Sequence, residues 1–117
     1  MSKIKSTKHI ANQISQLMLE KKASDIKIID VRKITTLTDF FIICSSDSEP
    51  KTKAIASYIS ETLKNNDIRP LHIEGYNYLD WVLLDYVNIV AHIFSNKSRE
   101  FYNFEGLWAD AEVKSIK

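Results

Sequence analysis

Hydrophobic residues recur along the chain with two different periods. Between Thr7 and Lys22, the apolar Ile10, Ile14, Leu17 and Met18 fall at i, i+4, i+7 and i+8, one face of a helix with Ser6 or Thr7 as its N-cap. The β-branched stretch Ile26 to Val31 and the unbroken apolar run Phe40 to Cys44 then predict two strands, the second buried on both faces. Thr35 to Asp39 turns the chain between them. Asp47-Ser48-Glu49-Pro50 combines a capping side chain, an early acid and a first-turn proline. It starts a second helix carrying Ile55, Ile59 and Leu63 on one face and ending at Asn65-Asn66-Asp67, where Asn tolerates a left-handed residue.

Three strands follow, Leu71 to Glu74, Trp81 to Tyr86 and Ile89 to Phe94, the last two joined as a hairpin. From Ser95 or Ser98 onward, Phe101, Phe104, Leu107 and Trp108 recur at i, i+3, i+6 and i+7, predicting a third helix that ends near Ala111 before a polar tail. The order α-β-β-α-β-β-β-α predicts an α+β fold, a mixed five-stranded sheet with three helices packed on it. No repeat or linker divides residues 1–117, so a single domain is expected, and 117 residues suffice for one core but not for two domains around a cleft.

Composition narrows the functional classes. Two glycines in 117 residues exclude Gly-rich phosphate loops, and neither GxGxxG nor GxxxxGKS occurs. The net charge of +1 conceals an asymmetry: residues 1–33 carry eight Lys/Arg against Glu20, Asp25 and Asp30, a local +5, whereas residues 70–96 hold Glu74, Asp80 and Asp85 and no Lys or Arg. The acidic stretch also contains Tyr76, Tyr78, Trp81, Tyr86 and Phe94, so it pairs negative charge with large apolar side chains, a composition suited to a basic protein partner. The basic end suits RNA through Lys3, Lys5 and Lys8, although the interleaved aromatics of single-strand binding platforms are missing there. A lone cysteine, Cys44, and the lack of a long apolar segment point to the cytosol and away from a membrane.

Five blocks then carry a family resemblance: Thr38-Asp39-Phe40-Phe41-Ile42-Ile43-Cys44, Ala54-Ile55-Ala56, Glu74-Gly75, Asp80-Trp81-Val82-Leu83-Leu84-Asp85-Tyr86 with His92-Ile93-Phe94, and Phe101-Tyr102-x-x-Glu105-x-Leu107-Trp108-x-Asp110-Ala111. In order and spacing, from about Ile4 to Glu112, they resemble the Iojap family, the bacterial and organellar ribosomal silencing factors. The resemblance implies a nucleotidyltransferase-like sheet and binding to the large ribosomal subunit at the ribosomal protein numbered fourteen. Occupying that face blocks joining of the small subunit and so represses translation. The resemblance also implies a link to large-subunit assembly and self-association of the free protein through the same apolar surface. Two positions depart from the family pattern: Val87-Asn88 replaces a glycine-acid turn, and Ser46 replaces a loop glycine. Without the glycine, the turn needs Asn88 or another geometry.

Alternative chemistry finds little in the sequence. Nucleotidyl transfer needs clustered carboxylates for divalent metal, usually a D-x-D on a strand beside a Gly-Ser loop. Here Asp47-x-Glu49 stands at a helix start, explained by the helix dipole, and Asp110-x-Glu112 near the C-terminal end. His9, His72, His92 and Cys44 lack metal-ligand spacing, Cys44 ends an apolar strand as a core thiol would, and His92 reads as a structural histidine hydrogen-bonded to a neighbouring strand or carboxylate. The expectation is therefore no catalytic residue, no metal and no cofactor. The partner-binding set is Glu74, Trp81, Leu83, Asp85 and Tyr86, with Trp81 as apolar anchor and Asp85 as ionic contact. Strand alternation puts Trp81, Leu83 and Asp85 on one face and Val82, Leu84 and Tyr86 on the other. The plainer reading of Trp81 is packing beneath a helix.

Overall fold

The computed structural model describes residues 6–116. Helix α1 (Thr7–Glu20) begins where the Ser6 hydroxyl accepts the His9 amide at 3.1 Å, and it buries Ala11, Ile14, Leu17 and Met18. Helix α2 (Glu49–Asn65) is capped in the same way by Ser48, with Pro50 in its first turn, and buries Ile55, Ile59 and Leu63. Asp67, at φ 63, takes the left-handed position after it, in place of the Asn that the sequence favours there.

Strands β1 (Ser24–Asp30), β2 (Phe40–Ser46), β3 (His72–Glu74), β4 (Trp81–Asp85), β5 (Ile89–Ser95) and β6 (Glu112–Ile116) form one sheet in the order β3-β4-β5-β2-β1-β6. All neighbours are antiparallel except β2 and β5, whose parallel pairing requires the long connection through α2, β3 and β4. The sheet is mixed, the fold is α+β, and β4 and β5 make the expected hairpin.

The run Phe40 to Cys44 is apolar throughout because both faces of the sheet are covered. Phe40, Ile42 and Cys44 join Val82, Leu84, Ala91 and Ile93 beneath α1 and α2. Phe41 and Ile43 point the other way, into a second cluster with Ile29, Val31, Val90, Phe94 and Phe104. Each fully buried Ile or Phe of this kind contributes roughly 1.5–3 kcal/mol, so neither face is incidental to stability.

Two expectations need correction. The sheet has six strands, not five, because the polar tail becomes β6, pairing antiparallel with β1 from Ile26↔Ile116 to Asp30↔Glu112. Its side chains are almost all exposed, so backbone hydrogen bonds hold it and no hydrophobic pattern announces it; Glu112 and Lys114 suit an edge strand, where charge discourages further pairing. The third helix is also broken into α3 (Asn96–Tyr102) and α4 (Phe104–Leu107) by Asn103, left-handed at φ 46 and ψ 53. That break changes the helical phase, so Phe104 and Trp108 pack on the sheet while Phe101 and Leu107, at 78% and 75% exposed, do not.

The departures from the family pattern are accommodated differently. Ser46 ends β2 buried, without positive φ, its hydroxyl donating to the Ser48 carbonyl at 2.9 Å. In the β4–β5 turn Val87, not Asn88, takes φ 74. The Asn88 amide donates to the Tyr86 carbonyl at 2.9 Å, and the Val87 amide donates to Asp85 Oδ1 at 2.8 Å. A β-branched residue is strained at this φ, and the Asp85 carboxylate holds it there.

Candidate docking face

Helices α1 and α2 cover one face of the sheet, while the short α3 and α4 cover only part of the other. Register aligns the side chains of this second face in rows. Glu74 stands beside Leu83, Leu83 beside His92 and His92 beside Ile43; one row over, His72, Asp85, Val90 and Phe41 are neighbours. Trp81 pairs with Phe94 in the next row.

Beneath α3 and α4 this face is aromatic. Trp81 stacks on Phe94 with ring centroids 4.9 Å apart and meets Tyr102 at 5.1 Å. Phe41 meets Phe104 edge-on at 4.9 Å. The Trp81 indole Nε1–H donates to His92 Nδ1 at 2.8 Å, which makes Nδ1 an acceptor and leaves the proton of the neutral ring on Nε2. Burial pushes the His92 pKa down to about 3, so the ring is neutral under ordinary conditions.

A buried charge network fastens α3 and α4 in place. Arg99, 6% exposed, donates from Nε to Glu105 Oε1 at 3.1 Å and from Nη2 to Glu105 Oε2 at 3.0 Å, and its Nη1 reaches Ser45 Oγ at 3.0 Å and the Asp25 carbonyl. Lys27 Nζ adds a 3.0 Å bond to Glu105. The Arg99 hydrogen bonds, with Lys27 assisting, hold the Glu105 carboxyl down at about 2 against the opposing effect of burial. Sequence reading missed this network because its partners are up to 78 positions apart and only Glu105 belongs to a quoted motif.

Where the helices stop, the face opens into a groove of about 400 Å³ whose lining includes Leu37, Leu71, Leu83 and Val87, with Glu74 and Asp85 as its carboxylates and, among the described residues, no Lys or Arg. Leu37, Leu71 and Val87 are 80%, 64% and 53% exposed, an unusual solvation of large apolar side chains. Of the residues expected at the partner surface, Glu74, Leu83 and Asp85 come together here. Trp81 lies on the same face but is half-buried beneath Tyr102, nearer the plain packing role. Tyr86 does not join them: it packs against the core on the α1–α2 face, its buried hydroxyl without a partner, because residue 86 is one step out of phase with 81, 83 and 85.

The other candidates separate. Asp47 pairs with Lys51 at 3.4 Å across the α2 start, and Glu112 with Lys33 at 3.8 Å. Among the described residues no three His, Cys, Asp or Glu side chains converge as metal ligands. Cys44 is fully buried, its thiol pushed up to about 12. No described helix is long and apolar enough to cross a membrane. Of the basic end, Lys3 and Lys5 lie outside the described residues, Lys8, Lys21 and Lys22 are exposed, and Lys27, Arg32 and Lys33 are paired with acids.

Comparison with known proteins agrees across sequence and fold. The model of the family described as ribosomal silencing factor during starvation matches residues 4–117. A ribosomal silencing factor from Bacillus subtilis is 35% identical over 97 residues, 83% of this chain and 82% of its own. The chloroplastic Iojap protein of Arabidopsis thaliana is 31% identical over 86% of this chain and 42% of its own length. A mouse protein named for mitochondrial assembly of the ribosomal large subunit is 30% identical over 83% of this chain and 44% of its own. A crystal structure of a Chromobacterium violaceum protein superposes with a TM-score of 0.87 at 28% identity, over 90% of this chain and 88% of that one.

Proposed function

Because the chain belongs to the ribosomal silencing factor family, we propose that it binds the large ribosomal subunit through the groove face and keeps the small subunit from joining. The partner on the subunit is a basic ribosomal protein, the one numbered fourteen that the family resemblance implies. The observation that carries this proposal is the convergence of Glu74 and Asp85 with the exposed Leu37, Leu71 and Val87 in one groove that, among the described residues, has no Lys or Arg in its lining. Rim carboxylates steer a basic surface and fix its orientation, while desolvation of the leucines supplies affinity. Repression is then steric and needs no turnover. The molecule measures 44 × 33 × 26 Å, so even its thinnest dimension, laid on the face where subunits meet, keeps them out of contact. The name of the mouse relative favours an additional part in large-subunit assembly.

The test is subunit joining followed by light scattering with purified subunits. The wild-type protein suppresses joining, and Glu74→Lys, a charge reversal at an exposed position, abolishes the suppression. Joining that proceeds normally with saturating wild-type protein would sink the proposal.

A further inference from the structure

The β4–β5 turn puts a strained residue at the docking groove. The Asn88 amide donates to the Tyr86 carbonyl two positions back at 2.9 Å, and Val87 between them has φ 74. A hydrogen bond of that span around a positive φ is the rare, strained form of the γ-turn, and a β-branched side chain fits it poorly. Such a conformation persists only where its surroundings over-determine it. Here the Tyr86 amide donates to the Ile89 carbonyl at 2.8 Å, the Asn88 carbonyl accepts the Asp39 and Phe40 amides at 3.0 and 3.2 Å, and the Val87 amide donates to Asp85 Oδ1 at 2.8 Å.

What the fastened turn displays is apolar. Val87 lines the groove half-exposed, together with Leu37 and Leu71, which are more exposed still. Their backbones are tied as well: the Leu37 amide donates to Thr35 Oγ1 at 3.1 Å, and the Leu71 amide to the Asp85 carbonyl at 2.7 Å. Asp85 therefore holds two of the three, Leu71 through its main chain and Val87 through its carboxylate. Ionic steering alone needs neither bond. Apolar groups fixed in advance lose little freedom when a partner covers them, so more of their burial appears as affinity.

We propose that Val87 is a specificity-determining contact of the groove and Asp85 its positioning residue: the carboxylate holds the turn so that Val87, with Leu37 and Leu71, receives an apolar side chain of the docked protein. The inference rests on the docking reading above and deepens it, because the partner segment must then carry an apolar side chain beside the basic one that Glu74 attracts. Strain at residue 87 lowers stability in favour of recognition.

Val87→Gly separates recognition from folding, because the two effects have opposite signs. The variant relaxes the turn and unfolds at a higher urea concentration, yet its affinity for isolated large ribosomal subunits falls roughly tenfold, since the exposed part of the valine is no longer there to bury. Asp85→Asn and Asp85→Ala separate position from charge. The carboxamide oxygen still accepts the Val87 amide, so Asp85→Asn weakens binding through charge alone, and that loss shrinks as salt is raised. Asp85→Ala removes the bond too, and its larger loss persists at high salt. A Val87→Gly protein that binds as tightly as wild type or unfolds at lower urea overturns the inference, as does an Asp85→Asn loss as large and as salt-resistant as that of Asp85→Ala. If wild-type protein binds no large subunits, the docking reading fails; if wild type binds, Glu74→Lys does not and Val87→Gly binds like wild type, only this inference fails.

Discussion

Glu105→Gln puts the attachment of α3 and α4 to the sheet under direct test. Glu105 accepts the Nε–H and Nη2–H of the Arg99 guanidinium and the Lys27 ammonium, and its carboxyl is held at about 2 against a usual 4.5. A folded-state pKa below the unfolded one means that the carboxylate stabilises the fold fully above about pH 4.5, and that this contribution is lost as pH falls toward 2. The displacement corresponds to about 3 kcal/mol, and the side chain, 29% exposed, retains some screening, so about 2 to 3 kcal/mol is expected at pH 7. With an unfolding entropy of about 0.25 kcal/mol/K for a chain of this size, Glu105→Gln melts roughly 8–12 °C below wild type. The gap, measured by circular dichroism melting from pH 7 down to pH 3, stays constant to about pH 5 and narrows below it. A gap as wide at pH 3 as at pH 7, or one under about 1 °C at neutrality, would refute the ionic account of the clamp.

Two further outcomes follow from local geometry. Val87→Gly relieves a φ of 74, and strain of about 1–3 kcal/mol less a glycine entropy cost of about 0.5–1 kcal/mol leaves a net gain near 1 kcal/mol, read as a higher urea midpoint; a lower midpoint would contradict the strain. Cys44, fully buried with its thiol pushed up to about 12, resists iodoacetamide at pH 8 until the whole domain unfolds, and rapid labelling of the native protein would show that the α1–α2 face opens locally.

The legible parts of the fold were those with a local cause. Ser6 and Ser48 announce helices because a side-chain oxygen must reach an amide three residues on, and both do. The apolar run Phe40 to Cys44 announces a strand buried on both faces, and alternation along Trp81 to Asp85 sorts the two faces correctly. Strand β6 was not legible, since an exposed edge strand held by backbone hydrogen bonds leaves no hydrophobic period in Glu112 to Ile116. Nor was the break at Asn103: Phe101, Phe104, Leu107 and Trp108 fit one helical face on paper, and a single left-handed residue dissolves the pattern. At the site, Glu74, Leu83 and Asp85 were readable from composition and alternation. The rest of the groove was not, because Leu37, Thr38 and Leu71 come from loops that only the sheet order β4-β5-β2 brings beside them.

Sedimentation with separated ribosomal subunits tests the central claim most directly. Wild-type protein is predicted to travel with the large subunit and not with the small one, and Glu74→Lys, folded as judged by its melting curve, is predicted to remain at the top of the gradient. Wild-type protein that travels with the small subunit or with neither, or a Glu74→Lys variant that travels with the large subunit as wild type does, would contradict docking through this face.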